Sequence, residues 1–521
     1  MSIVPTYKPE ALTDFGVPSN REAFQKALDL VRSQLGQVYP THIGGSVHRD
    51  GKTLNSINPA RPAEVVGVVV QGNVDDAKHA ISAAAEAFKT WQYVAPEERA
   101  RYVLRAAAEI RRRKHEFSAW MVFEVGKSWA EADADTAETI DFLDYYARQM
   151  MRLTHASEML TQYPGEQNEL QYIPLGVGAV IPPWNFPAAI TAGMTAAAIV
   201  AGNTVVLKPS HLSPVIAYKL CEVFWKNGLP TGVLNYLPGP GSEVGETLVD
   251  DPRTRFIAFT GSKEVGMRIF ERAAKVHSGQ KWLKRTVLEM GGKDAVVVDE
   301  TADLDAAAEG IVASAFGFQG QKCSAGSRAI IVNSVYDRVV SQVVERAKRL
   351  TQGAPDQGPE IDQGPVVDSK ALSTIMSYIE VGTQEGKLLL GGKVKQTPEN
   401  GYFIEPTIFG DVPGDARIAQ EEIFGPVLAI IRANDYDDAL RIANSTEFGL
   451  TGALFSNDRD RLERARREFH VGNLYFNRKC TGAMVGVHPF GGFNMSGTDS
   501  KAGGPDYLLL FTQAKSIAEK L

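Results

Sequence analysis

The sequence predicts an α/β protein built on parallel sheets, and three observations carry that expectation. Short apolar runs alternate with helical stretches between residues 177 and 274, and the same alternation resumes from residue 295 to 350. Glycine-rich turns, GPGSEVG at 239–245 and FTGSKEVG at 259–266, stand where a strand gives way to a helix. Strands separated by such helices pair in parallel through right-handed crossovers, and ligands then bind beyond the carboxyl ends of the strands.

Taken in order, residues 73–114 are Ala-rich with apolar residues at three- and four-residue spacing, which predicts two helices parted by a turn around Pro96. A third helix is expected over 130–151. The basic run Arg111, Arg112, Arg113 and Lys114 continues the helical pattern and reads as a solvated face. After the polar, Pro-containing stretch 154–174, strands are expected at 177–181, 204–208, 233–237 and 256–260, with helices at 188–201, 214–227, 243–249 and 263–274. A second unit opens with a strand at 295–298, a helix at 304–316, a strand at 329–332 and a helix at 335–350, and closes near Asn477. The tail 507–517 alternates as a strand whose partner lies outside its own unit; with 154–174 it would form an arm for self-association.

The chain has 521 residues, enough for about three or four compact units. Hydrophobic residues make up 44% and charged residues 22%, an ordinary globular composition that excludes wholesale disorder. A net charge of -7 has the wrong sign for a protein that works by neutralising phosphates. Cys221, Cys323 and Cys480 are too few and too scattered for a disulfide framework, and with no CxxC or HExxH no metal site is expected. The longest apolar stretch, 190–202, is too short to span a bilayer. Without an export signal at the N-terminus, and with EKL rather than SKL at the C-terminus, the expected location is the cytoplasm.

Three residues stand out chemically. Asn185 is the one strong side-chain donor in PPWNFP, 182–187, after the first strand; Glu289 ends the strand before Gly291 and Gly292; Cys323 sits in FQGQKCSAGSR, a loop too polar for a structural cysteine. A sulfur nucleophile, a carboxylate base and an amide donor together suit a carbonyl substrate. A Cys/His pair made by folding, with His470 or His488, stays open. Lys208, in LKPS, stands at a carboxyl edge where a cation could reach a ribose or phosphate. The glycine-rich turns can hold a pyrophosphate on backbone donors, but neither is a GxGxxG fingerprint and no Walker A sequence is present. Cys221 and Cys480 read as small buried hydrophobes.

PPWNFP, LKPS, FTGS, LEMGGKDA, FGFQGQKCSAGSR, EEIFGPV and HPFGGFNMSG together resemble the aldehyde dehydrogenase superfamily in order and spacing. The resemblance implies a Rossmann-type parallel-sheet NAD-binding domain, an α/β catalytic domain and a small β oligomerisation arm. It implies that Cys323 is the nucleophile, Glu289 the base for deacylation, and Asn185 with the Cys323 backbone N–H the oxyanion hole. Ile181, Pro183, Trp184, Lys208, Ser210, Gly241, Gly245, Phe259, Gly261, Ser262, Glu422 and Phe424 would line the NAD site. Where many members carry an acid three positions after the lysine, this chain has His211, so NADP stays open beside NAD.

The segments EFHVGNLYFNRKCTGAMVGVHPFGGF and ADTAETIDFLDYYAR further resemble the enzymes that oxidise L-glutamate γ-semialdehyde. That implies that Gly482 and Ala483 bind the substrate carboxylate with Ser324, that Lys322 adds positive charge, that Phe186 and Phe490 sandwich the aliphatic chain, and that Glu138 lies near the amino end. The matching division is 1–153 and 175–286 for the cofactor, 154–174 and 487–521 for the arm and C-terminal segment, and 287–486 for catalysis, in a homo-oligomer. Rival functions are another semialdehyde dehydrogenase, a silent scaffold with this fold, and a cofactor-free thiol hydrolase; nicotinamide reduction separates the last from the first.

Overall fold

The computed structural model describes residues 6–521. Its first large sheet has seven strands in the order Arg285–Glu289, Thr254–Thr260, Val177–Ile181, Thr204–Leu207, Leu234–Tyr236, Thr41–Ile43 and Ser46–His48. The first five are parallel, Thr41–Ile43 runs against them, and Ser46–His48 runs against Thr41–Ile43. Strand order reverses between Val177–Ile181 and Thr254–Thr260, where Ile181 lies opposite Phe259. Their carboxyl ends therefore flank the crevice where open α/β sheets take ligands.

Close packing around this sheet explains two of its glycines. A Cβ on Gly178 would overlap the Phe256 ring of the neighbouring strand, and one on Gly193 would press against the Phe142 ring. The helix Ala189–Val200 that carries Gly193 is buried on almost every side and lies against the long helix Trp129–Leu153. Ala-rich surfaces allow that approach, and the resulting core holds the turn between Ile181 and Ala189 in place.

A second seven-stranded sheet runs Lys387–Leu390, Thr407–Gly410, Val427–Ala433, Arg328–Val332, Ala295–Val298, Thr451–Phe455 and Asn473–Phe476, parallel except at the Lys387–Leu390 edge. Its central strands are mostly apolar because helices cover both faces. A two-stranded arm pairs Thr512–Lys520 with Glu166–Pro174 in antiparallel register, Thr512 opposite Pro174 and Lys520 opposite Glu166.

Several expectations need correction. Residues 507–511 are a tight helical turn, not the start of a strand: Tyr507 stacks on Tyr146, and Phe511 meets Phe256 edge-on. Burying Tyr507, Leu508 and Phe511 together needs helical spacing, which overrides the local alternation. The helix expected over 243–249 forms but starts two residues earlier, with a wide π turn at Gly241–Gly245 that runs straight into the α-helix Glu246–Asp250. The basic run breaks between the helices Pro96–Arg112 and Lys114–Val125, and each member has an acidic partner: Arg111 with Glu10 and Asp144, Arg112 with Glu109, Arg113 with Glu116, Lys114 with Asp133. Absent from the sequence reading is a three-stranded sheet of Gln37–Tyr39, Arg61–Val70 and Thr53–Asn58. Among the described residues no helix is long and apolar enough to cross a membrane.

Candidate active site

The turn after Val177–Ile181 and the loop before Arg328–Val332 meet at Asn185, whose buried Nδ2 donates to the Gln321 carbonyl at 3.1 Å. That loop bends through left-handed backbone at Phe318, Gln319 and Gly320, with φ of 49°, 55° and 66°. A Cβ on Gly320 would overlap the Gly425 carbonyl, so the bend requires glycine there. Gln319 Nε2 donates to the Pro365 carbonyl at 2.7 Å, and Gln321 Oε1 accepts from the Val367 N–H at 2.9 Å. These bonds hold non-glycine residues in a costly conformation and deliver Cys323 next to the Asn185 turn.

Burial pushes the Cys323 thiol well above its ordinary value, and the carboxylates of Asp294, Glu289 and Glu422 push it further. These surroundings favour the protonated thiol over the thiolate. Burial also pushes the Glu289 carboxyl up to about 8, against hydrogen bonds from Ser500 and the charge of Lys501. Its Oε1 accepts from Ser500 Oγ at 2.6 Å, while Oε2 is buried without a protein partner. The charges that act most on Cys323 are carboxylates, while His470 packs on Phe493 and His488 on Tyr475. Cys221 and Cys480 are buried, and Cys480 Sγ donates to the Ser324 carbonyl at 3.4 Å.

On the side of the first sheet, Lys208 follows the strand Thr204–Leu207, and burial lowers its ammonium to about 8. A Cβ on Gly245 would sit 3.6 Å from its Cδ and Cε, so the lysine stem lies along the Gly241–Gly245 turn; nothing crowds Gly241. Ser262 caps the helix Lys263–Ala274 by accepting from the Val265 N–H, and the preceding Gly261 N–H donates to the Glu289 carbonyl at 3.0 Å. Glu422 accepts from the Gly292 N–H at 3.1 Å, and any side chain on Gly291 would overlap its carboxyl. Trp184 meets Phe424 edge-on at 5.6 Å, Pro183 is half-buried beside it, and Ser210 Oγ accepts from the Leu212 N–H. The helix starts at Gly241 and Lys263 and the Lys208 cation offer donors, and the Glu422 carboxylate offers acceptors, a set that suits a dinucleotide's pyrophosphate and ribose hydroxyls. Burial, and after it Lys208, hold His211 below its ordinary value, which favours the neutral imidazole.

Opposite lies a group of charges that the sequence reading only half found. Lys127 and Asp135 form an ion pair at 2.7 Å with both side chains 0% exposed, and Asp135 also accepts from the Ala189 N–H at 2.7 Å. Lys127 Nζ stands 4.0 Å from the Phe186 ring centroid and 4.7 Å from that of Phe318. Lys322, expected to add positive charge, is paired with Glu131 at 2.6 Å. Burial, with Asp135 and Asp141 nearby, pushes the Glu138 carboxyl up to about 8 against Lys127 and Lys322. Glu131, Asp135 and Glu138 share one face of a mostly buried helix, a spacing legible in the sequence once the helix is known to be buried. Gly482 has φ of 78°, and Arg478 Nη2 donates to the carbonyls of Thr481 and Gly482, so the loop with the half-buried Ala483 is flanked by Arg478 and Lys479. Phe490 is fixed by a two-way backbone pairing with Ala502.

The sequence profile of the aldehyde dehydrogenase family matches residues 47–517. The chain belongs to the aldehyde dehydrogenase family. It is 60% identical, over 99% of its length and 100% of the relative's, to a 1-pyrroline-5-carboxylate dehydrogenase of Geobacillus kaustophilus. Among solved aldehyde dehydrogenases it superposes on a 1-pyrroline-5-carboxylate dehydrogenase from Thermus with bound NAD, with TM-score 0.97, 51% identity and 100% of both chains covered. A betaine aldehyde dehydrogenase from Staphylococcus aureus in complex with NAD+ superposes with TM-score 0.87 at 28% identity, covering 95% of this chain and 97% of the other.

Proposed function

We propose that the protein oxidises L-glutamate γ-semialdehyde, the open form of 1-pyrroline-5-carboxylate, to L-glutamate with NAD in proline breakdown. The observation that carries this reading is full-length similarity to relatives named for that activity, 60% and 59% identical over nearly the whole chain. The site agrees chemically. A cationic rim of Arg478 and Lys479 around Gly482 suits a carboxylate, the Glu138 carboxyl suits an ammonium, and Phe186 suits the chain between them.

The Cys323 sulfur adds to the aldehyde carbon as the S–C bond forms, and the thiol proton passes to solvent water. The carbonyl oxygen becomes an oxyanion that accepts from Asn185 Nδ2 and the Cys323 N–H, donors worth several kcal/mol in such sites. When bound, NAD supplies the two-electron acceptor for the hydride on that carbon, held by Lys208, Glu422 and the two helix starts. Glu289 then takes a proton from water, the water oxygen adds to the thioester carbon, and the C–S bond breaks to release L-glutamate and restore Cys323. A neutral His211 does not repel a 2′-phosphate; the NAD assignment rests on the NAD-bound Thermus neighbour. In this reading 1–153 and 175–286 serve the cofactor and 287–486 catalysis, the arm of Glu166–Pro174 and Thr512–Lys520 joins copies of the chain, and the enzyme works in the cytoplasm.

An aldehyde panel tests the substrate. L-Glutamate γ-semialdehyde should exceed aldehydes lacking the α-amino and α-carboxylate groups by well over tenfold in kcat/KM; equal turnover rejects the assignment. Cys323→Ala should abolish NADH formation and the covalent adduct while NAD still binds.

A further inference from the structure

The Glu289 carboxyl is cradled on one side by the C-terminal segment. Met290 N–H donates to the Ser496 carbonyl at 2.8 Å, Thr498 N–H to the Leu288 carbonyl at 2.9 Å, and Leu288 N–H to Thr498 Oγ1 at 3.0 Å. Residues 496–498 thus run as an antiparallel partner along 288–290, with Glu289 opposite Gly497. A Cβ on Gly491 would lie 3.1 Å from Glu289 Oε1, and one on Gly497 3.2 Å from the same oxygen. Into the remaining space comes the buried Ser500 hydroxyl, 2.6 Å from Oε1. Lys501 is pinned beside it by donating to the carbonyls of Gly472 and Gly491, each at 2.8 Å.

The Ser500 hydroxyl acts on one oxygen, while the backbone N–H groups of Ser500 and Gly492 also favour the charged carboxylate. Oε1 is boxed in by Gly491, Gly497 and Ser500, while Oε2 is buried with no partner in the protein. A buried carboxylate oxygen without a partner is costly unless something transient meets it. We propose that Ser500 is a positioning residue for deacylation: its hydroxyl anchors Glu289 through Oε1 and so presents Oε2 to the water that hydrolyses the acyl-enzyme. The proposal rests on Glu289 being the general base. In the step itself the water proton passes to Oε2, the water oxygen bonds to the thioester carbon, and the C–S bond breaks toward Cys323. Ser500 Oγ keeps donating to Oε1 throughout, and that bond favours the ionised carboxylate over the neutral acid. No step before the thioester calls on Oε2, so removing the anchor should slow hydrolysis and leave acylation alone.

The test uses Ser500→Ala and Ser500→Cys in the full-length enzyme with L-glutamate γ-semialdehyde and NAD. Cysteine fills the volume of serine but is a poor donor. Both variants should form NADH in a burst equal to active sites and then turn over about tenfold or more slowly than the parent, as expected for loss of a charge-assisted hydrogen bond to a base. Intact mass of quenched samples should show the acyl adduct on Cys323 during the slow phase. Parent-like turnover by Ser500→Cys overturns the proposal, because packing alone would then explain the serine. Burst and steady state falling together in both variants overturns it equally, as the sign of a structural role. Glu289→Gln is run alongside: if it too accumulates no adduct, the general-base reading fails; if it does accumulate adduct while the serine variants do not, only the role of Ser500 falls.

Discussion

Replacing Lys127 by methionine should be among the most damaging single changes in the protein that touch neither Cys323 nor Glu289. The ammonium and the Asp135 carboxylate are 2.7 Å apart with both side chains 0% exposed, so truncating one leaves the other charged, dry and alone. Breaking a buried pair in that way costs about 3–5 kcal/mol. The same ammonium faces the rings of Phe186 and Phe318, contacts worth about 0.5–2 kcal/mol each when desolvated. Asp135 also accepts from the Ala189 N–H at the start of the helix that follows the Asn185 turn, so the loss should reach Phe186 and raise KM for the aldehyde more than it lowers kcat. Urea unfolding by tryptophan fluorescence reads the stability, and Asp135→Leu completes a cycle. With both charges gone, the double variant should be more stable than the sum of the single losses predicts, by about 1–3 kcal/mol. A Lys127→Met protein within about 1 kcal/mol of the parent, or strict additivity in the cycle, would refute the reasoning.

Deacylation should quicken with pH through the Glu289 carboxyl. A base raised to about 8 is mostly protonated at pH 7, and ionisation restores it, so the single-turnover hydrolysis rate should rise about tenfold between pH 7 and 9; a flat profile excludes Glu289 as the titrating base. Gly320→Ala should cost about 1–3 kcal/mol and lower activity by shifting the Cys323 loop, because a Cβ at φ of 66° overlaps the Gly425 carbonyl; thermal melting and kcat together check it.

Much of the fold and the chemistry is local, and local features survive in a linear string. Apolar runs such as Val177–Ile181 and Ala295–Val298 mark parallel strands buried on both faces, and the polar loop around Cys323 sets it apart as the candidate nucleophile wherever the chain carries it. What the string leaves open depends on partners distant along the chain. Burial by segments far off in sequence turns Lys127 and Asp135, ordinary charges on paper, into a dry ion pair. Lys322 finds its partner in Glu131, 191 positions away, and Glu289 meets Ser500 only because residues 496–498 pair along 288–290. The helical turn at Tyr507–Phe511 was hidden for the same reason, since its side chains answer to Tyr146 and Phe256 rather than to their neighbours. Amino-acid order decided which elements form and which atoms can react; tertiary packing decided which charges are quenched, which carboxyl holds its proton and which way it faces, because desolvation and Coulomb interaction depend on distance in space and not along the chain.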